Sequence, residues 1–233
     1  MYRAPCPTDY SIHITNRQRG GALIYILIAI AIIGTLTATL IEPVSQQAQA
    51  QKAFKLAQQI EGQITLIRSA IQECIINYPA GDPTINASTT TDSGYTPPFP
   101  IRPNSAHYTG STLGAEVDNQ ANGIRCPGNP GVDQNHTPMF GPLAGRYFPV
   151  RADNNIGSWY YSNGSGVVHG AAFNGVFIQT GSTGNDQYII DAFTKLAAKY
   201  NDCELDYLVG SGTNGCGSGH CIRYWFSRTA PAC

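Results

Sequence analysis

The chain has 233 residues, 42% hydrophobic and only 12% charged, with a formal net charge of −1. That length allows one or two domains with a real core, the apolar content excludes a disordered chain, and the lack of basic excess excludes an electrostatic nucleic-acid footprint. The 25 Gly and 15 Pro predict many turns and long loops, and thirteen Tyr with eight Phe against two Met point to a β-rich head.

Residues 1–20 carry Arg3, Arg17 and Arg19 against Asp9. Gly20-Gly21 then opens onto Ala22 to Ile41, a run with no charge and no proline. As a helix its twenty residues would reach roughly 30 Å, the thickness of a bilayer's hydrocarbon core, so the pattern predicts a transmembrane half over 22–41. The flanking arginines place the N-terminus in the cytoplasm and the following chain across the membrane. Of seven cysteines, Cys6 lies before Gly20, and Cys74, Cys126, Cys203, Cys216, Cys221 and Cys233 form an even set beyond the apolar run. An even set there suggests disulfides in an oxidising compartment.

Arg17-Gln18-Arg19-Gly20, then Gly21 and an apolar run containing Ala31-Ile32-Ile33-Gly34, resembles the class III signal of type IV pilins and type II secretion pseudopilins. The resemblance is specific over residues 17–43 and holds in pattern to Tyr78. It implies that a prepilin peptidase cuts after Gly20 and N-methylates Gly21. Pro43 stands where many members carry a helix-bending proline. One position departs from the pattern. The fifth mature residue is Tyr25, where the family usually has a glutamate thought to pair with the free amine of a neighbouring subunit. Family members without that glutamate include the minor pseudopilin at the filament tip, so the resemblance leans towards a minor or tip-proximal subunit. Two plainer readings stay open: an ordinary signal anchor, and a secretory signal cut at Ala48-Gln49-Ala50.

From Val44 to Tyr78 an apolar stripe recurs at Ala53, Ala57, Ile60, Ile64, Ile67, Ile71, Cys74 and Tyr78, at helical spacings of three and four. Pro79, Ala80 and Gly81 stop that helix. Residues 79–125 read as a long surface loop. Arg146 to Val150 reads as a short strand, Ser158–Tyr161 and Val167–His169 as a hairpin turning at 162–166, and Gly175–Thr180 as a strand. Asn185–Tyr200 reads as a helix, with late strands over Leu205–Val209 and Cys221–Phe226. A Cys74–Cys126 bridge would close the loop. Cys216–Cys221 with Cys203–Cys233, or the swap to Cys203–Cys216 with Cys221–Cys233, would close the C-terminal end, a region that pilins also close with a cystine.

Little in the sequence points to catalysis. His13, His107, His136, His169 and His220 sit in no hydrolase or metalloprotease signature, and Gly164-Ser165-Gly166 fits a turn better than a nucleophile elbow. The reading is therefore not an enzyme, with no cofactor and no catalytic or cofactor-binding residue. Cys216, His220 and Cys221 offer a weak zinc reading with non-standard spacing. Asp202, Glu204 and Asp206 are weak calcium candidates, because some pseudopilins bind calcium through a C-terminal acidic loop; an alternating triplet is otherwise solvent-facing polarity. Trp159, Tyr160 and Tyr161 could stack on a sugar or belong to the core.

The expected fold is α+β: a long N-terminal helix, with a membrane half and an amphipathic half, packed on a small antiparallel sheet in a pilin-like head. The expected division is a cytoplasmic leader 1–20, the helix 21–78 and a disulfide-stabilised head 79–233. The expected function is a structural subunit of a type IV pilus or type II secretion pseudopilus. Its partners would be the prepilin peptidase, other pilin or pseudopilin subunits, the inner-membrane assembly platform and, before assembly, membrane lipid. The expected location is the bacterial inner membrane, single-pass with a periplasmic head, and then the filament. The alternative is a membrane-anchored extracytoplasmic binding or adhesin module outside any filament.

Overall fold

In the computed structural model the described residues are 21–88, 92–116, 118–128, 134–168, 171–182, 184–209 and 219–230, side chains excepted at 38–45, 166–168, 171–173 and 229–230. The leader with Gly20, and Cys6, Cys216 and Cys233 with their expected pairings, lie outside the described residues. The chain divides into two compact units, Met1–Ala48 and Gln49–Cys233.

Helix α1 runs Gly21–Asn77. Over residues 21–37 it is apolar on every face but for Thr35 and Thr37, and Leu23, Ile24, Tyr25, Ile26, Leu27, Ile28, Ile30, Ile32, Ile33 and Leu36 are all exposed. The expected pilin-like architecture with a membrane half over 22–41 is corrected here. Among the described residues no helix is long and apolar enough to cross a membrane. The side chains described in this run, 21–37, cover about 26 Å of helix at 1.5 Å per residue, against a hydrocarbon core of roughly 30 Å. From Gln46 onward the exposed helix surface is mostly polar, with Phe54 and Ile76 as exposed large apolar exceptions.

The second unit is built on the later part of α1. Ala53, Leu56, Ala57, Ile60, Ile64, Ile67 and Ile71 fall on one helical face and are buried. They share one core with Trp159, Tyr161, Val176, Ile178, Ile222 and Tyr224 and with Ile189, Ala192, Phe193 and Leu196. Each large aliphatic side chain buried there contributes about 1.5–3 kcal/mol. The sheet that meets this face is antiparallel, in the order β3-β4-β6-β5, with β3 Tyr160–Val168, β4 Ala171–Gly181, β5 Leu205–Val209 and β6 His220–Ala230. Helix α2, Gln187–Lys199, joins β4 to β5 and sends Ile189, Ala192, Phe193 and Leu196 into the core. Lys199 of α2 also pairs with Glu61 of α1. A separate two-stranded ribbon joins β1, Arg125–Cys126, to β2, Thr137–Pro138.

Two sequence expectations for the head differ from the structure. The hairpin turn expected at 162–166 is strand: β3 continues through it and pairs Asn163 with Val176 and Gly164 with Gly175. The segment around residues 93–102 holds this part of β3 extended. Asn163 Nδ2 donates to the carbonyl of Pro100 at 3.0 Å and its Oδ1 accepts from Thr96 N at 2.8 Å. Ser165 N donates to Ser93 O at 2.9 Å. A side chain at Gly164, whose φ is 153°, would meet Ser93 O at 2.6 Å, so the turn-like composition reflects close packing of backbone on backbone. The strand expected at 146–150 is reduced to a bridge between Gly141 and Arg146. Pro149 has no N–H with which to extend a ladder.

Candidate functional site

Two features could carry function: the apolar stretch of α1 and a buried polar cluster in the segment after it. In the apolar stretch the residues from Leu23 to Leu36 are between 49% and 74% exposed where large and apolar. Tyr25 is at the upper end of that range. Gly21, the expected first mature residue, lies in α1. An all-round apolar helix surface of this kind is unstable in water and marks a surface to be covered.

The polar cluster begins where α1 stops. Pro79 disfavours helix in the residue before it, and Gly81 N donates to Tyr78 O at 2.9 Å. Gly81 then takes a φ of 66°, with Tyr95 Oη 2.8 Å from where a Cβ would stand, so the turn requires glycine. This turn delivers Asp82 into the interior. Its Oδ1 accepts from Thr84 N at 2.8 Å and from Thr84 Oγ1 at 2.6 Å, leaving Oδ2 aimed at two imidazoles. His107 lies in a 3-10 turn, Ala106–Tyr108, which Ser105 caps by accepting from His107 N. His136 immediately precedes β2.

The three side chains meet through one atom each. His136 Nε2 lies 2.9 Å and His107 Nε2 3.5 Å from Asp82 Oδ2, and the two Nε2 atoms are 3.2 Å apart. All three side chains are buried, His107 being the most exposed at 7%. Tyr108 packs edge-on against both imidazoles, and Arg125 lies 4.4 Å above the Tyr108 ring. Burial alone would raise the Asp82 pKa, but hydrogen bonds from Thr84 and His136 outweigh it and hold the carboxyl below its usual value. Burial pushes the neighbouring Tyr108 phenol up and Tyr95 up to about 12. A carboxylate facing two imidazoles can hold protons or a cation, and these three residues are the group that could hold a metal ion among the described residues.

The Cys74–Cys126 disulfide frames this region. It joins the last turns of α1 to β1, with Cα atoms 5.7 Å apart, across 52 residues of chain. Because Cys126 pairs with Thr137 in the ribbon, the bridge also fixes the position of the chain next to His136. Cys203 and Cys221 are disulfide-bonded as well, so the thiolate that a zinc site at Cys216, His220 and Cys221 would need from Cys221 is absent. His220 Nδ1 instead lies 2.6 Å from Tyr207 Oη.

The acidic triplet has other partners. Asp206 accepts from Trp225 Nε1 at 2.8 Å and from Arg228 Nη1 at 2.9 Å, so both carboxylate oxygens are engaged. Glu204 accepts from Asn201, and the Asp202 carbonyl accepts from Arg228. Trp159 and Tyr161 are core side chains, so of the three neighbouring aromatics only Tyr160 is exposed. Sequence motifs missed Asp82, His107 and His136 because all three come from irregular chain at separations no signature uses. One signal was available: Asp82-Pro83-Thr84 is an Asx-turn pattern in a weakly charged segment, and a buried carboxylate needs partners.

Comparison with protein-family models, curated proteins and solved structures finds no match.

Proposed function

We propose that this chain is a structural subunit of a type IV pilus or type II secretion pseudopilus, in a minor or tip-proximal position. The observation that carries the reading is the exposed apolar surface of α1 from Leu23 to Leu36. Burying it needs other apolar surface, and the apolar helices of neighbouring pilin or pseudopilin subunits would supply surface of similar length and character. Gly20-Gly21 before that run supports processing by a prepilin peptidase, followed by assembly on an inner-membrane platform. The disulfides of the second unit support exposure of the head to an oxidising compartment. Tyr25 in place of a carboxylate supports a position that needs no partner amine neutralised. The mechanism is assembly, with the apolar helix inside the filament and the head outside.

The mature N-terminus, measured by mass spectrometry with and without a prepilin peptidase, tests the reading. A methylated Gly21 that depends on the peptidase is expected. An intact Met1, or a start at Gln51, overturns it. Counting subunits in filaments tests the position separately, and stoichiometric packing along the whole shaft overturns the tip assignment.

A further inference from the structure

We propose that Asp82, His107 and His136 bind one divalent transition-metal ion, zinc foremost, which clips together three loop segments of the head. The inference does not depend on the assembly reading. It starts from the way three lone-pair-bearing atoms converge. Asp82 Oδ2, His107 Nε2 and His136 Nε2 form a triangle with edges of 2.9, 3.2 and 3.5 Å. Three ligand atoms on one face of a tetrahedral zinc, at bond lengths of about 2.0–2.1 Å, stand roughly 3.3 Å apart. The circle through the three observed atoms has a radius of about 1.9 Å, so an ion slightly off their plane reaches all three at normal bond lengths.

Electrostatics point the same way. Two imidazole nitrogens and a carboxylate oxygen this close repel one another unless a proton or a cation sits among them. The donor set of two nitrogens and one oxygen selects zinc and its first-row neighbours over calcium and magnesium, which take all-oxygen shells. Ligand orientation is set from outside the triangle. Thr84 holds the other Asp82 oxygen through its N–H and its hydroxyl, the arrangement that fixes a ligating carboxylate. Ser105 fixes the turn that presents His107.

Position gives the role. The ligands come from the exit of α1, the middle of the 79–125 segment and the approach to β2, places with little regular structure of their own. The burial of all three ligand side chains suits a structural ion. The clip therefore acts beside the Cys74–Cys126 bridge: the bridge ties the helix to the ribbon, and the ion ties the intervening segment to both.

The test uses the oxidised full-length protein, stripped with a chelator and titrated with zinc chloride and with cobalt chloride. One zinc per chain is expected, with a visible cobalt spectrum of tetrahedral intensity and a Tm rise of about 5–10 °C at a hundredfold excess over Kd. His107→Gln and His136→Gln should abolish the stoichiometric zinc and the cobalt spectrum, while His220→Gln keeps both. Thr84→Val, which removes only the supporting hydroxyl, should weaken zinc about tenfold. If a histidine variant fails to fold, wild-type stoichiometry and the Thr84→Val affinity still decide. Substoichiometric zinc in the wild type overturns the proposal and leaves a proton-bridged polar cluster. Full affinity in folded His107→Gln, or loss of binding in His220→Gln alone, also overturns it.

Discussion

The indole N–H of Trp159 donates to Gln63 Oε1 at 2.7 Å, and Gln63 Nε2 donates to the Val150 carbonyl at 2.6 Å. Gln63 sits among the isoleucines of α1 and is itself buried. One polar side chain thus ties the helix to the start of β3 and to the chain before it. Gln63→Leu would keep the volume and leave a buried indole N–H and a carbonyl without their partner. The expected cost is about 1–3 kcal/mol, seen as a lower urea midpoint with an unchanged m-value.

Removing the Cys74–Cys126 bridge by the double substitution Cys74→Ser, Cys126→Ser releases a loop of 52 residues in sequence separation. The chain-entropy account gives a loss of about 4 kcal/mol. Chemical denaturation of the double variant against wild type, both with the C-terminal disulfides intact, measures it.

Calcium should leave the thermal midpoint unchanged, because Asp206 is committed to Trp225 and Arg228. Asp206→Asn should instead destabilise the outward face of the sheet by about 1–3 kcal/mol, through the weakened ion pair with Arg228. A calcium-dependent Tm shift in the wild type would contradict this assignment of the carboxylate.

The tyrosines give a pH prediction whose sign can be worked out. Burial raises Tyr95 to about 12 and pushes Tyr108 and Tyr161 up as well. The folded state therefore holds protons that the unfolded chain releases near its ordinary phenol pKa of about 10. This contribution to stability is complete below that pH and is lost as pH rises through the folded values. An absorbance titration should resolve an early set of exposed phenols and a late set that ionises only as the protein unfolds.

Under the proposed function, Tyr25→Glu tests the position of the chain in the filament. If the missing carboxylate is what confines this chain to few places, restoring it should raise the number of copies per filament. An unchanged count with normal processing at Gly20 would remove Tyr25 from the argument.

The parts of the fold legible in the sequence are those with a strong period. The stripe from Ala53 to Ile71 and the face of α2 carrying Ile189, Phe193 and Leu196 are buried on the side their spacing indicates. Gly164 and Gly166 misled, because glycine serves close approach as well as turns, and composition cannot tell which. The apolar run reads as twenty residues of membrane span, whereas among the described residues no helix is long and apolar enough to cross a membrane. Asp82, His107 and His136 were hidden for a different reason. Their proximity depends on how the irregular segment between α1 and β3 is folded, and sequence separation carries no information about that.

Every described member of the main hydrophobic core lies at Ala53 or later, while the unbroken run of exposed large apolar side chains, Leu23 to Leu36, lies before that point. Under the proposed function, folding and association would act through separate stretches of one chain. Substitutions between Leu23 and Leu36 should register in subunit incorporation and leave the denaturation curve of the head alone. Those from Ala53 onward should do the reverse. Under the proposed function, a head that keeps its stability without the apolar stretch would complete its fold before any neighbour arrives, and assembly would join finished parts.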